Sequence, residues 1–301
     1  VVLTAADRPN ILWITSEDNS PDYIGAFGDP HGMTPTIDRL ATEGVAYDHA
    51  YSNAAVCGPA RTTLILGMYP SSVGGEHMRS QAPLPAHIKI YPQYLSEAGY
   101  YCTNNSKQDY NIAQDTPGWA ESSNKAHWKN RAKGQPFFAI FNTTVTHESA
   151  LHPRKYDRKF GVPPDQVEVP AYIPDTQEAR ERIATYYSRI NDMDNFVAAK
   201  LQELEDAGLA DDTIVFYYSD HGGIMPRSKR FVYDSGTHVP LVIRFPKKWA
   251  HLSPHAAGSR TDEVVGFVDF APTLLSLAGA DIPDHMQGRA FLGKQRGPAP
   301  E

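Results

Sequence analysis

Short apolar runs that alternate with helical patterns constrain the fold of this chain more than any other feature of its sequence. The runs at 11–15, 137–141 and 213–218 are β-prone, and each leads directly into polar residues. Segments with helical spacing, at 91–99 and 176–207, lie between such runs. Strands that alternate with helices are typical of α/β proteins with a parallel sheet. We therefore predict a mostly parallel central sheet with helices on both faces.

The composition argues against two classes of partner. The 301 residues carry a formal net charge of −7 and offer no basic footprint for nucleic acid. The apolar runs are too short to span a bilayer, so we expect neither a nucleic-acid partner nor a membrane span.

Cys57 and Cys102 are too few for a disulfide framework, although the sequence alone leaves their pairing open.

The most distinctive short motif is Val-Cys-Gly-Pro-Ala-Arg-Thr at 56–62. A proline two residues after Cys57 and an arginine four residues after it predict that Cys57 begins a helix, with Arg61 one turn further on the same face. The N-terminus of a helix binds anions, and a guanidinium suits a tetrahedral oxyanion. A buried cysteine ahead of a capped helix fits the same spacing equally well, so the motif alone leaves both interpretations open.

Polar clusters follow four strands of the predicted sheet, at the edge where open α/β sheets bind ligands. In chain order they contain Glu17 and Asp18, then Lys107 and Asp109, then His147, then Asp220 and His221. Adjacent carboxylates repel each other, so Glu17 and Asp18 either face water or jointly hold a cation. The repetition of such clusters favours a functional site over four independent surface turns.

Two further segments have a structural and a functional interpretation. The polar loop at 74–79 contains His77 and Arg79, which we interpret either as part of a surface turn or as substrate-binding residues. The long helical pattern at 176–207 has a core-facing apolar stripe, and we expect its Asp192 and Asp194 to be surface or capping groups rather than metal ligands.

Taken together, these motifs resemble the type I sulfatases of the alkaline-phosphatase superfamily over nearly the whole chain. Residues 57–61 match the family signature C-x-P-[SA]-R, whose cysteine is oxidised after synthesis to formylglycine. Further stretches similar to family landmarks follow in the family's order, at 8–18, 34–41, 219–222 and 239–241. From 172 to 213 the chain is similar to the heparan N-sulfatase (sulfamidase) branch and to bacterial polysaccharide-desulfating relatives.

The resemblance implies a role for each matching position. One calcium ion is expected on Glu17, Asp18, Asp220 and His221, where the family has two aspartates, a third carboxylate and an asparagine. The catalytic set implied is Cys57 as formylglycine, Arg61 beside it, Lys107 and Lys229 on the sulfate, His147 as general acid near the leaving group, and Asp109 where the family commonly has histidine. His77, Arg79 and His238 are candidate substrate-binding residues.

The activity implied is hydrolysis of sulfate esters, or of N-sulfate, on a sulfated sugar or polysaccharide such as a glycosaminoglycan. The implied partners are that carbohydrate and a formylglycine-generating maturation enzyme, and the implied location is periplasmic or secreted. Residues 1–7 are similar to the end of a processed N-terminus, without a complete signal peptide. We expect one catalytic domain over 1–301, in which about 281–301 begin a C-terminal subdomain that is truncated or missing.

Three alternatives remain open at this point. Some phosphonate and phosphate monoester or diester hydrolases of the superfamily share the C-x-P-x-R motif. Two-metal enzymes of the superfamily use a pair like Asp220 and His221 together with a histidine like His238, and imidazole favours zinc or manganese over calcium. The third alternative is a non-catalytic carbohydrate-binding protein.

Overall fold

The computed structural model describes residues 8–113, 117–152 and 159–299, so the predicted processed N-terminus at 1–7 lies outside the described residues. The strands are β1 (Asn10–Ser16), β2 (Val45–Tyr51), β3 (Tyr101–Asn105), β4 (Glu121–Ser122), β5 (Phe137–Asn142), β6 (Thr213–Ser219), β7 (Leu241–Arg244) and β8 (Ser259–Gly266). The α-helices are α1 (Pro35–Glu43), α2 (Cys57–Leu66), α3 (Tyr91–Glu97), α4 (Gln177–Asp206), α5 (Asp234–Thr237) and α6 (Phe270–Ala278).

All eight strands form one sheet in the order β4-β3-β5-β1-β6-β7-β2-β8. Five of the neighbouring pairs are parallel, and β7 runs antiparallel to both β6 and β2. The prediction of a mostly parallel sheet is confirmed.

Helices cover both faces of the sheet. Successive residues of a strand point to opposite faces, so each buried strand contributes side chains to a core on either side. On one face, Ile11 and Trp13 of β1 belong to a core that includes residues of α2, α3 and α6. On the other face, Leu12 and Ile14 belong to a core formed with α1 and α4. Residues of β1 are therefore buried on both sides, which explains why this strand reads as a continuous apolar run rather than an alternating one.

The topology brings the predicted polar clusters to one edge. Strands β3, β5, β1 and β6 are consecutive and parallel, so their carboxyl ends meet on the same side of the sheet. Because β7 is antiparallel to both β6 and β2, β2 also ends at this edge and leads there into α2. Residues far apart in the chain are thereby positioned around the start of α2.

The predicted start of a helix at Cys57 is confirmed, because α2 covers Cys57–Leu66. Strand β7 covers only Leu241–Arg244, because Pro240 and Pro246 flank it and lack the N–H that a ladder needs. In the described part of the chain, no helix combines the length and the apolar character needed to cross a membrane.

Asp194 caps a helix other than its own. Its carboxylate, 2% exposed, accepts hydrogen bonds from the backbone N–H groups of Thr36 (3.0 Å) and Ile37 (2.9 Å) in the first turn of α1. Thr34 precedes the helix, but its hydroxyl donates instead to Asp38. The expectation of a capping role for Asp194 is confirmed.

Asp194→Ala is expected to lower the free energy of unfolding by about 2 kcal/mol, because it leaves two buried N–H groups without an acceptor. Thermal denaturation should show the melting temperature falling by about 5 °C. Asp192→Ala is the matched control: Asp192 is partly exposed and pairs with Arg189 at 3.2 Å, so its loss should cost less than about 0.5 kcal/mol. Equal losses in the two variants would contradict the capping role.

Candidate active site

Cys57 is the first residue of α2 and is 4% exposed. Val56 before it has an extended backbone and no side chain caps the helix, so the first-turn N–H groups are directed at the space around the thiol. The Cys57 Sγ lies 3.6 Å from His221 Nε2. Both Cys57 and Cys102 are free, which settles the pairing that the sequence left open.

Three buried carboxylates surround this helix start. Glu17 and Asp18 follow β1, Asp220 follows β6, and each is at most 1% exposed. Arg61, one turn into α2 and 3% exposed, joins two of them: its Nε donates to Asp220 Oδ2 at 3.0 Å, and its Nη2 lies 3.6 Å from Glu17 Oε1. The guanidinium and the helix start are therefore held in one position relative to the carboxylates.

Two lysines complete the charge balance of the cluster. Lys107 Nζ lies 2.5 Å from Glu17 Oε1, and Lys229 Nζ donates to both oxygens of Asp18, at 2.7 and 3.0 Å. Burial disfavours the charged form of Lys229, but the Asp18 carboxylate outweighs this and raises the lysine's pKa. Cationic and anionic groups thus neutralise each other in a site that excludes most water.

His221 is oriented by its own backbone neighbour. Its Nδ1–H donates to the Gly222 carbonyl at 2.9 Å, which leaves Nε2 facing Asp18 Oδ1 at 2.9 Å. Burial alone would lower the pKa of His221, but the Asp220 and Asp18 carboxylates raise it to about 10. A metal ion bound through Nε2 would require the neutral ring, because an imidazolium has no free lone pair.

His147 lies at the open side of the cluster with a defined tautomer. Its Nδ1 accepts a hydrogen bond from the Ser149 backbone N–H at 3.2 Å, so the neutral ring carries its proton on Nε2. A ligand atom of His147 and carboxylate oxygens of Glu17 and Asp18 lie within 4.8 Å of one another. The structure thus brings His147 to the same site as the residues that follow β1.

Asp109 lies beside the lysine at the edge of the cluster. Its side chain is 5% exposed, and its Oδ2 is 3.7 Å from Lys107 Nζ. The other carboxylate oxygen contacts Arg79 Nη1. Arg79 therefore reaches the cluster through Asp109.

The other two candidate substrate-binding residues have no described contact with the cluster. His77 is 86% exposed and pairs with Glu76 at 3.7 Å. His238 stacks on Tyr51 at 5.1 Å between ring centroids, and its Nε2 donates to the Asp48 carbonyl at 2.9 Å. A substrate-binding role for His77 and His238 stays a prediction.

Three residues of the cluster were missed from the sequence. Asn142, the last residue of β5, accepts from Arg61 Nη1 at 2.7 Å, and its place at a strand end was a usable signal. The backbone N–H of Glu148 donates to Asp18 Oδ2 at 2.7 Å. The Glu148 carboxylate pairs with Arg230, and hydrogen bonds from Arg230 help lower the pKa of this carboxylate to about 2. The Tyr186 hydroxyl donates to the Asp18 carbonyl, a contact from α4 that no local pattern reveals.

The donor set fits a hard divalent cation. Carboxylate oxygens of Glu17 and Asp18 lie within 4.8 Å of each other and of a ring nitrogen of His147, and Asp220 Oδ1 accepts from the Asp18 backbone N–H at 3.2 Å. Such oxygens suit calcium, while the nitrogen of His221 also suits transition metals. Asp18, Cys57 and His221 form a second possible ligand group, and neither of these two groups in the described chain includes Asp220 or His238.

A family model described as Sulfatase matches residues 9–125 and 103–280. The chain belongs to the sulfatase family. An ulvan-active sulfatase of Formosa agariphila is 40% identical to it, over 98% of this chain and 56% of the relative. The N-sulphoglucosamine sulphohydrolase of Homo sapiens is 25% identical, over 95% of this chain and 66% of the relative. The chain thus spans only part of the length of these relatives.

A solved structure supports the predicted alkaline-phosphatase-like fold. The phosphonate monoester hydrolase of Agrobacterium radiobacter matches with a TM-score of 0.78 at 21% identity, over 93% of this chain and 76% of that one. At this identity the likeness shows the fold alone. It does not decide between sulfate and phosphonate chemistry, which depends on the site.

Proposed function

We propose that the protein hydrolyses sulfate esters, or N-sulfate, on a sulfated sugar or polysaccharide. The observation that carries this proposal is the position of Cys57 at the start of α2, within 3.6 Å of a buried cluster of carboxylates and cations. The family and the ulvan-active relative support sulfate as the group that is released. A periplasmic or secreted location and one catalytic domain belong to the same proposal.

In this proposal four residues of the site are metal ligands, and Cys57 is the residue that is modified. Glu17, Asp18, Asp220 and His221 would hold a calcium ion, which when bound would supply positive charge against the sulfate oxygens. Oxidation of Cys57 to formylglycine by a maturation enzyme would supply a hydrated aldehyde whose hydroxyl serves as nucleophile. The N-terminal position of Cys57 would present that hydroxyl beside the free N–H groups of α2.

The chain's own cations would bind and orient the tetrahedral anion. Lys107 and Lys229 lie on the two carboxylates that follow β1, and Arg61 lies between Glu17 and Asp220. Fixed cations in a site with little water stabilise developing negative charge more strongly than they would in bulk solvent. Their hydrogen bonds to buried carboxylates hold them in place before the substrate arrives.

His147 would donate the proton that the leaving alkoxide or amine needs. To act as an acid the ring must be an imidazolium, in which Nδ1–H would donate to the Ser149 hydroxyl at 3.0 Å and Nε2–H would face the leaving group. Transfer of the Nε2 proton would then leave a neutral imidazole. Asp109 has no direct place in this step, and its carboxylate instead bridges Lys107 and Arg79.

The test of the proposal compares sulfate with phosphonate as the transferred group, on probes that share the same aryl leaving group. The protein, co-expressed with a maturation enzyme and supplied with calcium, is expected to release sulfate from ulvan or heparin oligosaccharides, and to cleave an aryl sulfate faster than the matching aryl phosphonate. Faster phosphonate cleavage would favour the phosphonate hydrolase alternative. Binding of the oligosaccharides without release of sulfate would favour the carbohydrate-binding alternative.

A further inference from the structure

A polar cavity of about 310 Å³ lies between residues 79–81 and the segment at 108–112. Its polar lining residues are Arg79, Gln81, Gln108, Asp109 and Asn111. Its volume is at the lower end of the range for small-ligand sites. Amides and charged groups that both donate and accept hydrogen bonds are the partners that sugar hydroxyls require.

The cavity adjoins the proposed active site on two sides. Asp109, in its wall, lies 3.7 Å from Lys107 Nζ. Asn111, also in the wall, donates its backbone N–H to Thr62 Oγ1 at 2.9 Å, and that hydroxyl donates to the Gly58 carbonyl in the first turn of α2. A molecule in the cavity would therefore lie next to the group held at Cys57.

A buried amide fixes the turn that carries Arg79. Asn111, 1% exposed, donates to the carbonyls of Gly75 (2.8 Å) and His77 (2.9 Å) and accepts from the Arg79 N–H at 3.1 Å. Arg79 itself has a left-handed backbone with φ 63°, which a residue other than glycine adopts only when its surroundings hold it there. The base of the Arg79 side chain is thus fixed before any ligand binds.

One nitrogen of the Arg79 guanidinium is held by Asp109, while most of the side chain is exposed to solvent. Its Nη1 contacts Asp109, yet 72% of the side chain is exposed. A guanidinium has five N–H donors in a planar fork, so donors remain for a second anion. The Asp109 side chain is 5% exposed, and its Oδ2 faces Lys107 Nζ at 3.7 Å. Asp109 thus anchors the guanidinium, while the exposed part of Arg79 remains open to a second anion at the cavity wall.

We infer that this cavity binds an anionic sugar residue that neighbours the residue carrying the scissile sulfate. This inference rests on the proposed function and names its substrate class. Arg79 binds the anionic substituent, which is either a uronate carboxylate or a second sulfate, and Asp109 anchors Arg79. Arg79 is thus a specificity-determining residue.

The test uses three disaccharides that share the same sulfated residue. The neighbouring residue is a uronate in the first, its carboxyl-reduced neutral form in the second, and a neutral hexose with its own sulfate in the third. Wild-type protein should show a KM about tenfold lower for an anionic disaccharide than for the neutral one. Arg79→Gln should remove this difference by raising the KM for the anionic disaccharide, and Arg79→Lys should retain part of it.

The control is Arg39→Gln, which removes an exposed guanidinium from α1 that pairs with Glu205 at 3.8 Å, and it should leave the preference intact. A preference for the uronate alone identifies the substituent as a carboxylate, a preference for the second sulfate alone identifies it as sulfate, and either supports the inference. Equal KM values for anionic and neutral disaccharides in the wild type, or an equal rise for both in Arg79→Gln, would overturn it.

A binding measurement separates this inference from the proposed function. If no disaccharide releases sulfate, the proposed function fails, and calorimetric titration with the unsulfated uronate disaccharide and its neutral form then tests the cavity alone. A tenfold difference in Kd that Arg79→Gln abolishes supports the site. No difference in Kd overturns it.

Discussion

Cys57→Ala is expected to lower kcat/KM for sulfate release by about 10³-fold or more, because it removes the thiol whose oxidation would yield the aldehyde. The carboxylates and cations of the cluster remain, so the variant should still bind the substrate. The fold should also persist, since the side chain is small and the hydrogen bond described for its thiol is a long one, to His221 at 3.6 Å. Initial rates of sulfate release and the Kd of the substrate measure the two effects separately.

Cys102→Ala is the matched control for this change. Cys102 is also buried and free, but it lies on β3 in the hydrophobic core, where its Sγ is 3.8 Å from the Pro92 carbonyl. Its replacement should lower the melting temperature slightly and leave kcat/KM close to that of the wild type. Full activity in Cys57→Ala would remove Cys57 from the mechanism, whatever the control shows.

Removal of bound metal is expected to have the second-largest effect. A chelator should abolish sulfate release, and added calcium should restore it, because the proposed ligands Glu17, Asp18 and Asp220 are buried carboxylates at the same edge of the sheet as Cys57. Restoration by manganese or zinc but not by calcium would show that His221 makes the site one for a transition metal. Undiminished activity after complete removal of metal would contradict a catalytic metal.

Asp220→Asn tests the same metal site by changing a proposed ligand instead of removing the metal. It should lower kcat/KM by about 10²-fold or more and raise the calcium concentration needed for half-maximal activity, because it removes one charge from the metal site. It also leaves buried Arg61 with a weaker acceptor, so some loss of stability is expected. Asp194→Asn is the control: it alters another buried carboxylate, one that caps α1, and should leave the calcium requirement unchanged.

The strand ends were the part of the site that the sequence revealed best. Continuous apolar runs identified β1, β5 and β6, and parallel pairing then required the residues after them to meet at one edge. Glu17, Asp220 and His147 were found in this way. The helix start at Cys57 was predicted because the proline and the arginine that indicate it lie two and four residues further along the chain, within one local motif.

Contacts between distant segments were not predictable by the same reasoning. The Arg79 contact with Asp109 depends on a turn held by Asn111 from 32 residues away in sequence, and no periodicity encodes such a turn. The Tyr186 hydroxyl reaches Asp18 only because α4 packs across one face of the sheet. Side-chain partners of this kind depend on packing, which local patterns do not specify.

The central claim is that the active form carries an aldehyde at position 57, beside a cation-rich site that binds sulfate. Peptide mass spectrometry of residue 57 in active preparations tests it most directly. Across preparations that differ in maturation, the fraction of chains with formylglycine at this position should be proportional to kcat for sulfate release. Active protein in which Cys57 is entirely an unmodified thiol would contradict the claim.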